Sequence, residues 1–531
     1  MENDRKDYND PNFWTQLNEP KPLFDLAKRD IIFALCMVIA CVLLSVYGGG
    51  FALGYTVTSV CVLCLFVIYF ARGGKVSAFP MICGVLALAN AAVFLCTTNS
   101  SVRFFGVLIS AFLSLACLDG FVSGGTKGNR GTMGLFYKAV ATAEHIDITV
   151  KSLFSDRMGN KKAIGKVLVG LLCAVPVLVV VVPLLLSSDE AFRGMMDRMF
   201  ENTGNTVFKV IFGIAISVFA VSYGFSIKMG RTVKEREGKF AGIENIYIVS
   251  FLSAISLCYL LYLFSQLAYF FSAFKGFLPN GGITYAQYAR KGFFEMCVIA
   301  VINLALVFLA MLLAKKQNGK VCHPIKLLTT FVSVFTLVII STAISKMVLY
   351  INAYGMTVLR LTTSAFMAFL AVVFVSVILR IYIVRINIVK TALLTAGLVV
   401  LILGTVNVNR VCAWYNYDSY MNGRLHSVDV EAMYNLGDEG IPYIVKLADD
   451  VDPPVARAAK HYLAKAYIWD YYHSGQSVEG DFAVGDLQKR EKNSEVSKFS
   501  LPRAAAYESL YDYLEAHPGF AAKCRDYLNQ D

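Results

Sequence analysis

Eleven long apolar runs punctuate the chain, at residues 31–48, 52–71, 79–97, 103–119, 165–187, 206–227, 245–271, 293–314, 325–345, 361–384 and 388–406. Runs of about 20 residues are long enough, as helices, to cross a hydrocarbon core roughly 30 Å thick. They are continuous and do not alternate apolar with polar over about ten residues, so they predict helices and not the strands of a barrel. Three segments follow: a polar, cytoplasmic stretch 1–30, a transmembrane bundle 31–406 and a region 407–531 of mixed character. No small-residue cleavage site stands out near the first run, which therefore reads as an uncleaved signal anchor.

After residue 406 the pattern changes to polar residues mixed with aromatics. In "LGDEGIPYIVKLADDVDPPVARAAKHYLAKAYIWDYYHSG", Asp452 is placed to cap a helix with Pro in its first turn, and Gly475 stops it. Val455, Ala459, Tyr462, Leu463, Ala466 and Tyr467 fall on one stripe at helical spacing. Residues 436–464 resemble one helix pair of the HEAT type, and "PRAAAYESLYDYLEAHPG" predicts a further amphipathic helix closed by Pro518 and Gly519. Residues 475–500, charged and poor in large apolar side chains, read as a flexible loop. The expected fold is all-α: a polytopic membrane helix bundle of about eleven spans with a small helical extracytoplasmic C-terminal domain.

Composition agrees with the pattern. Hydrophobic residues make up 56% of the chain against 16% charged, far from the balance of a soluble domain. Charge also orients the runs, because short loops rich in Lys and Arg stay inside. The connections after runs two, four, six, eight and ten carry most of them, such as Lys127, Arg130, Lys138, Lys151, Arg157, Lys161 and Lys162 after run four. The alternate connections are poorer, so the N-terminus is expected inside and, after an odd number of runs, the C-terminus outside. Residues 406–531 hold 13 Lys and Arg against 19 Asp and Glu, so the net charge of +11 arises from the inner loops. Anionic lipid headgroups are sufficient partners for that basicity, with no role for nucleic acid.

Motif chemistry is sparse. "SGGTKGNRGT" lacks the order of a phosphate loop and follows a membrane run, not a soluble strand. His145, His323, His426, His461, His473 and His517 are dispersed, and Cys61 with Cys64 forms a CxxC without a second pair, so no metal site or cofactor is implied. Of the thirteen Cys, Cys412 and Cys524 lie outside the bundle's centre, and their pairing is left open. The polar side chains that draw notice gather at connections assigned outside: Asp189 and Glu190 after run five; Tyr285, Tyr288, Arg290, Lys291 and Glu295 at the start of run eight; Lys346, Tyr350, Tyr354 and Arg360 in "KMVLYINAYGMTVLRL". Glu295 follows Lys291 by four residues, the spacing at which helical side chains pair. The last stretch is expected to be the turn between runs nine and ten. Two readings of the cluster compete: an outer ligand or ion site, and an interfacial anchoring rim.

The ordered motifs "SSDEAF", "YAQYARKGFFEMCVIAVINL", "SKMVLYINAYGMTVLRL" and "NVNRVCAWYNYDSYMNGRLHSVDVEAMYNLGDEGIPYI" resemble the bacterial multi-span proteins of domain-of-unknown-function family 4173, akin to family 4153. The resemblance implies a multi-pass protein of a bacterial cytoplasmic membrane and brings no activity with it. Three functions are weighed. The first is a non-catalytic envelope sensor or scaffold whose outer helices bind a protein or envelope partner. The second is a transporter or lipid-handling protein, for which Asn90 and Asn303 are the mid-span polar candidates. The third is an envelope transferase using a lipid-linked donor, with acid or base groups from Asp189, Glu190 and Glu295. The non-enzymatic reading is preferred.

Overall fold

The computed structural model describes residues 28–48, 52–70, 78–122, 204–228, 243–274, 293–315, 321–383, 386–472 and 499–528. Among them there are no strands; one parallel bridge pairs Ile243 with Ala314. The helices are α1 (Lys28–Gly48), α2 (Ala52–Phe70), α3 (Ala78–Cys96), α4 (Ser100–Val122), α5 (Gly204–Lys228), α6 (Asn245–Phe274), α7 (Phe293–Leu313), α8 (His323–Tyr354), α9 (Val358–Tyr382) and α10 (Ile388–Val406). Then come α11 (Val408–Met421), α12 (Val430–Tyr434), a 3-10 turn (Gly437–Glu439), α13 (Ile441–Leu447), α14 (Pro453–Tyr472), α15 (Leu501–Ala516) and α16 (Phe520–Leu528).

Nine described helices, α1–α4 and α6–α10, are long and apolar enough to cross a membrane. The run at 206–227 appears as α5, whose apolar stretch Lys209–Phe225 is shorter. The run at 165–187 lies outside the described residues, as does most of the loop expected at 475–500. Exposed Ile, Leu, Val and Phe side chains such as Ile82, Val85, Phe104 and Leu261 populate the span surfaces, as a lipid-facing surface requires.

The chain divides into two compact units. The first comprises Met1–Val46, Cys64–Phe70 and Leu135–Lys234. In it α5 packs on α1 through two glycines: a Cβ on Gly213 would lie 2.6 Å from the Val42 backbone, and one on Gly224 would lie 2.8 Å from the Phe33 ring. Phe33 stacks on Tyr69 at 3.9 Å. Asp30, fully buried at the start of α1, accepts a hydrogen bond from the Tyr69 hydroxyl at 2.8 Å. Arg29 donates to the Ile68 and Tyr69 carbonyls, covering acceptors that α2 leaves free at its C-terminus.

The second unit holds Tyr47–Leu63, Ala71–Gly134 and Glu235–Asp531. Here α3 and α4 form a tight hairpin around the turn Thr97–Asn99, and α10 packs on both. Gly397 and Gly404, two helical turns apart, receive Leu86 and Val93 of α3; a Cβ on Gly404 would lie 2.0 Å from Val93 Cγ1. The ascending order of both contacts makes α3 and α10 parallel. Helices α6, α7 and α9 each pack on α8.

At 32 residues, α8 is longer than expected. At about 1.5 Å per residue it extends well past a hydrocarbon core of roughly 30 Å. Lys346–Tyr354 therefore continue the helix, and the turn before α9 shrinks to Gly355–Thr357. Gly355 accepts φ of 77°, and Thr357 caps α9 by receiving the Arg360 N–H. The expectation of a polar turn over the whole stretch is corrected accordingly.

Beyond Val406, helices α11–α16 surround a shared apolar core that includes Met433, Ile444, Leu447, Ala459, Leu463, Leu514 and Cys524, all fully buried. The expected stripe on α14 is buried at Val455, Ala459 and Leu463 and half-buried at Tyr462 and Ala466. Helix α15 matches the expected second amphipathic helix, and α16 follows it unforeseen. The twelve described cysteines are free; Cys412 packs with Val93, Val102 and Val408, and Cys524 packs with the α11–α16 core, so these two do not pair.

Gly404→Ala should destabilise the protein by about 1–3 kcal/mol through overpacking, read as a lower thermal midpoint in detergent, while Gly519→Ala, with open space around it, should leave the midpoint unchanged. Burial pushes the Cys524 thiol up from the ordinary 9.0 to about 12. The folded state thus keeps its proton where the unfolded chain loses it, so the stability this thiol contributes is full below pH 9 and lost as pH rises toward 12. Alkaline titration of thermal stability should show that fall, and Cys524→Ala should flatten it.

Candidate functional site

Of the polar residues singled out in the sequence, Asp189, Glu190, Tyr285, Tyr288, Arg290 and Lys291 lie outside the described residues. The remaining five come from α7, α8 and α9. Glu295 is exposed on the first turn of α7 and acts electrostatically on Lys346 of α8. Lys346, Tyr350 and Tyr354 follow one another at four-residue intervals along one face of α8. The Arg360 guanidinium lies over the Tyr350 ring at 3.9 Å and donates to the carbonyls of Tyr354 (3.1 Å) and Gly355. Arg360 thus turns back onto the α8–α9 connection and covers the carbonyls at the end of α8. Asn416 of α11 completes this corner: its Oδ1 accepts the Met356 N–H at 2.7 Å, and its Nδ2 donates to the Met356 carbonyl at 2.8 Å. The Tyr415 hydroxyl donates to Asn352 Oδ1 at 3.2 Å.

A second polar cluster, absent from the sequence-derived set, joins the α3–α4 turn to the chain after α10. Its centre is Glu439, a carboxylate only 4% exposed. It receives the Thr98 N–H at 2.8 Å, the Thr98 hydroxyl and Asn407 Nδ2 at 3.1 Å. Asn407 sits between α10 and α11 at φ 61°, a left-handed conformation that asparagine tolerates better than most residues. Its Nδ2 also donates to the Cys96 carbonyl at 2.7 Å, and its Oδ1 accepts the Arg410 N–H at 3.3 Å. Asn99 Nδ2 donates to Asn409 Oδ1 at 2.7 Å, and Asn409 Nδ2 donates to the Leu436 carbonyl at 2.8 Å.

Arg103 supplies positive charge next to this clasp. Its Nε donates to the Thr97 carbonyl at 2.8 Å, and Glu439 and Asp438 both act on it electrostatically. Three donors and a nearby guanidinium compensate the burial of the carboxylate, which unpaired would be costly. The only sequence hints were "TTNS" at a hairpin turn and an Asn-rich "NVNR" after an apolar run. Nothing local marks Glu439, because its partners lie 32 and 341 residues away.

In the bundle interior, Asn303 of α7 is fully buried and satisfied on both sides: Oδ1 accepts the Tyr259 hydroxyl at 2.5 Å, and Nδ2 donates to Thr336 Oγ1 at 2.9 Å. It joins α6, α7 and α8. Asn90 donates to the Leu86 and Gly397 carbonyls, joining α3 to α10. No group of three or more His, Cys, Asp or Glu able to hold a metal occurs among the described residues. His461 and His517 each engage a backbone carbonyl, of Tyr527 and Tyr513 respectively.

These features define a polytopic α-helical membrane protein. The chain belongs to the family described as Domain of unknown function (DUF4153), whose model matches residues 23–447. The match runs from just ahead of α1 to the last residue of α13 and so includes Glu439 and all its partners. Comparison with curated proteins and with solved structures gives no match.

Glu439→Gln replaces one acceptor oxygen by a donor amide facing N–H and O–H groups. It should cost about 1–3 kcal/mol in thermal stability measured in detergent. Glu431→Gln, exposed on α12, should have no effect.

Proposed function

We propose that the protein is a non-catalytic sensor or scaffold of a bacterial cytoplasmic membrane, with its N-terminus inside and its α11–α16 helices outside. The observation that carries this reading is the buried Glu439 clasp. It fastens the segment after α10 to the α3–α4 turn, so that a partner held by α11–α16 bears mechanically on the span ends. The partner surface proposed is the exposed face of those helices, and the inner basic loops lie against anionic headgroups.

Packing supports the alternation of the runs, and charge alone sets which side is inside. Parallel α3 and α10 require an odd number of crossings between them, the parity that eleven runs provide. The connections after runs three, nine and eleven, all assigned outside from charge, meet at one end through Asn407, Asn416 and Thr98. Two connections assigned inside also meet, with the Ile243 N–H donating to the Leu313 carbonyl at 2.8 Å and Asn245 Nδ2 to the Lys315 carbonyl at 3.1 Å. The transport reading gains less, because the Asn303 amide is occupied by Tyr259 and Thr336. Glu295, Lys346, Tyr350, Tyr354 and Arg360, with Asp189, Glu190, Tyr285, Tyr288, Arg290 and Lys291, stay a proposed outer-face cluster. For the first group we favour closure of the α8–α9 corner over ligand binding.

Val451 is 97% exposed at the α13–α14 connection and serves as a probe. Val451→Cys in intact cells should react with a membrane-impermeant maleimide; reaction only after lysis would reverse the orientation. A photo-crosslinking residue at 451 should yield a discrete adduct with an envelope component, weakened by Glu439→Gln. Adducts with lipid alone would count against the sensor or scaffold reading.

A further inference from the structure

Asn90 and Ser110 are polar residues on the packed faces of α3 and α4, 0% and 7% exposed. Asn90 Oδ1 and Ser110 Oγ are both buried and have no hydrogen-bond partner among the described residues. The Asn90 amide is fixed in orientation. Its Nδ2 donates to two carbonyls, Leu86 at 2.8 Å and Gly397 at 3.1 Å, so a flip would set oxygen against oxygen at both. Oδ1 is therefore an acceptor held in place without a donor.

Ser110, like Ser256 of α6, departs from the usual pattern of buried span hydroxyls. Thr329, Ser333, Thr336 and Ser376, also buried in spans, each donate to a carbonyl three or four residues earlier in their own helix. Ser110 makes no such bond. The helix register sets the two orphans level with each other: a Cβ on Gly106 would touch Phe94 at 3.4 Å, one on Gly84 would meet Cys117 Sγ at 2.8 Å, and one on Gly397 would meet both Leu86 and Leu113. Interpolating between these antiparallel contacts sets Asn90 and Ser110 at one level of the α3–α4 interface, beside α10.

We propose that one water molecule is bound between Asn90 Oδ1 and Ser110 Oγ, inside the α3–α4–α10 packing. An acceptor opposite a hydroxyl is the set a water joins, donating to the amide oxygen and exchanging a second bond with the serine. A hard divalent cation gathers about six or more oxygens, and this level offers two side-chain oxygens. The water removes the desolvation cost of both orphans.

X-ray hydroxyl-radical footprinting of the full-length protein in nanodiscs tests the site, because bound water generates radicals at its own position. Leu113, 0% exposed beside this level, should be oxidised, whereas Leu370, 2% exposed in an apolar cluster, should not. Oxidation of Leu113 should fall to the Leu370 level in Asn90→Leu/Ser110→Ala. A Leu113 as unreactive as Leu370 in the unaltered protein would overturn the proposal in favour of a dry Ser110–Asn90 bond, and this arm needs no variant to fold. Oxidation unchanged in Ser110→Ala and in the double variant would overturn it in favour of bulk access.

Discussion

The seating of α10 on the α3–α4 hairpin is the constraint on which the second unit rests. Between spans in lipid there is no hydrophobic gain from association, so close backbone approach and interhelical hydrogen bonds must hold the helices together. Gly397 and Gly404 provide the approach by admitting Leu86 and Val93, and Asn90 adds a bond to the Gly397 carbonyl. Because α10 ends beside the Thr97–Asn99 turn, Asn407 arrives within reach of the Cys96 carbonyl and of Glu439. The position of the helices after Val406 therefore derives from a glycine-mediated contact inside the bundle. That inheritance is why a buried carboxylate is tolerated at the junction: its donors are held by elements already fixed.

The polar stretch Lys346–Leu361 shows how a composition signal changes meaning once neighbours are known. In sequence, Lys, Arg and Tyr beside an apolar run are compatible with a binding site as well as with an anchoring rim. In the fold, Arg360 is directed at the carbonyls of Tyr354 and Gly355 and at the face of Tyr350, and Asn416 occupies both polar groups of Met356. Those groups are the ones a helix C-terminus and a three-residue turn leave unsatisfied. Much of the polarity of this corner is thus explained by closing α8 and opening α9 within a bundle.

Helix existence was legible in the sequence because it depends on a local quantity. An apolar run must satisfy its own backbone in lipid, and a helix does so without reference to the rest of the chain. The runs at 79–97, 361–384 and 388–406 accordingly match α3, α9 and α10 closely, and the α14 stripe through Val455, Ala459 and Leu463 was readable from spacing alone. The end of α8 is hidden in the sequence because Lys346, Tyr350 and Asn352 lower hydropathy without stopping a helix; Gly355 stops it. Helix α16 leaves little trace in the sequence, since Pro518 and Gly519 close one helix just as a second, nine-residue helix begins.

The sequence by itself determined a polytopic helical membrane protein, the number and approximate limits of its apolar runs, the charge bias of its connections and its family resemblance. Only the tertiary structure decided which polar groups act together. Thr98 with Glu439, Asn90 with Gly397 and Met356 with Asn416 are separated by 341, 307 and 60 residues. Hydrogen-bond partners of buried polar atoms are chosen by the packing of whole helices, and that choice leaves no periodic trace along the chain.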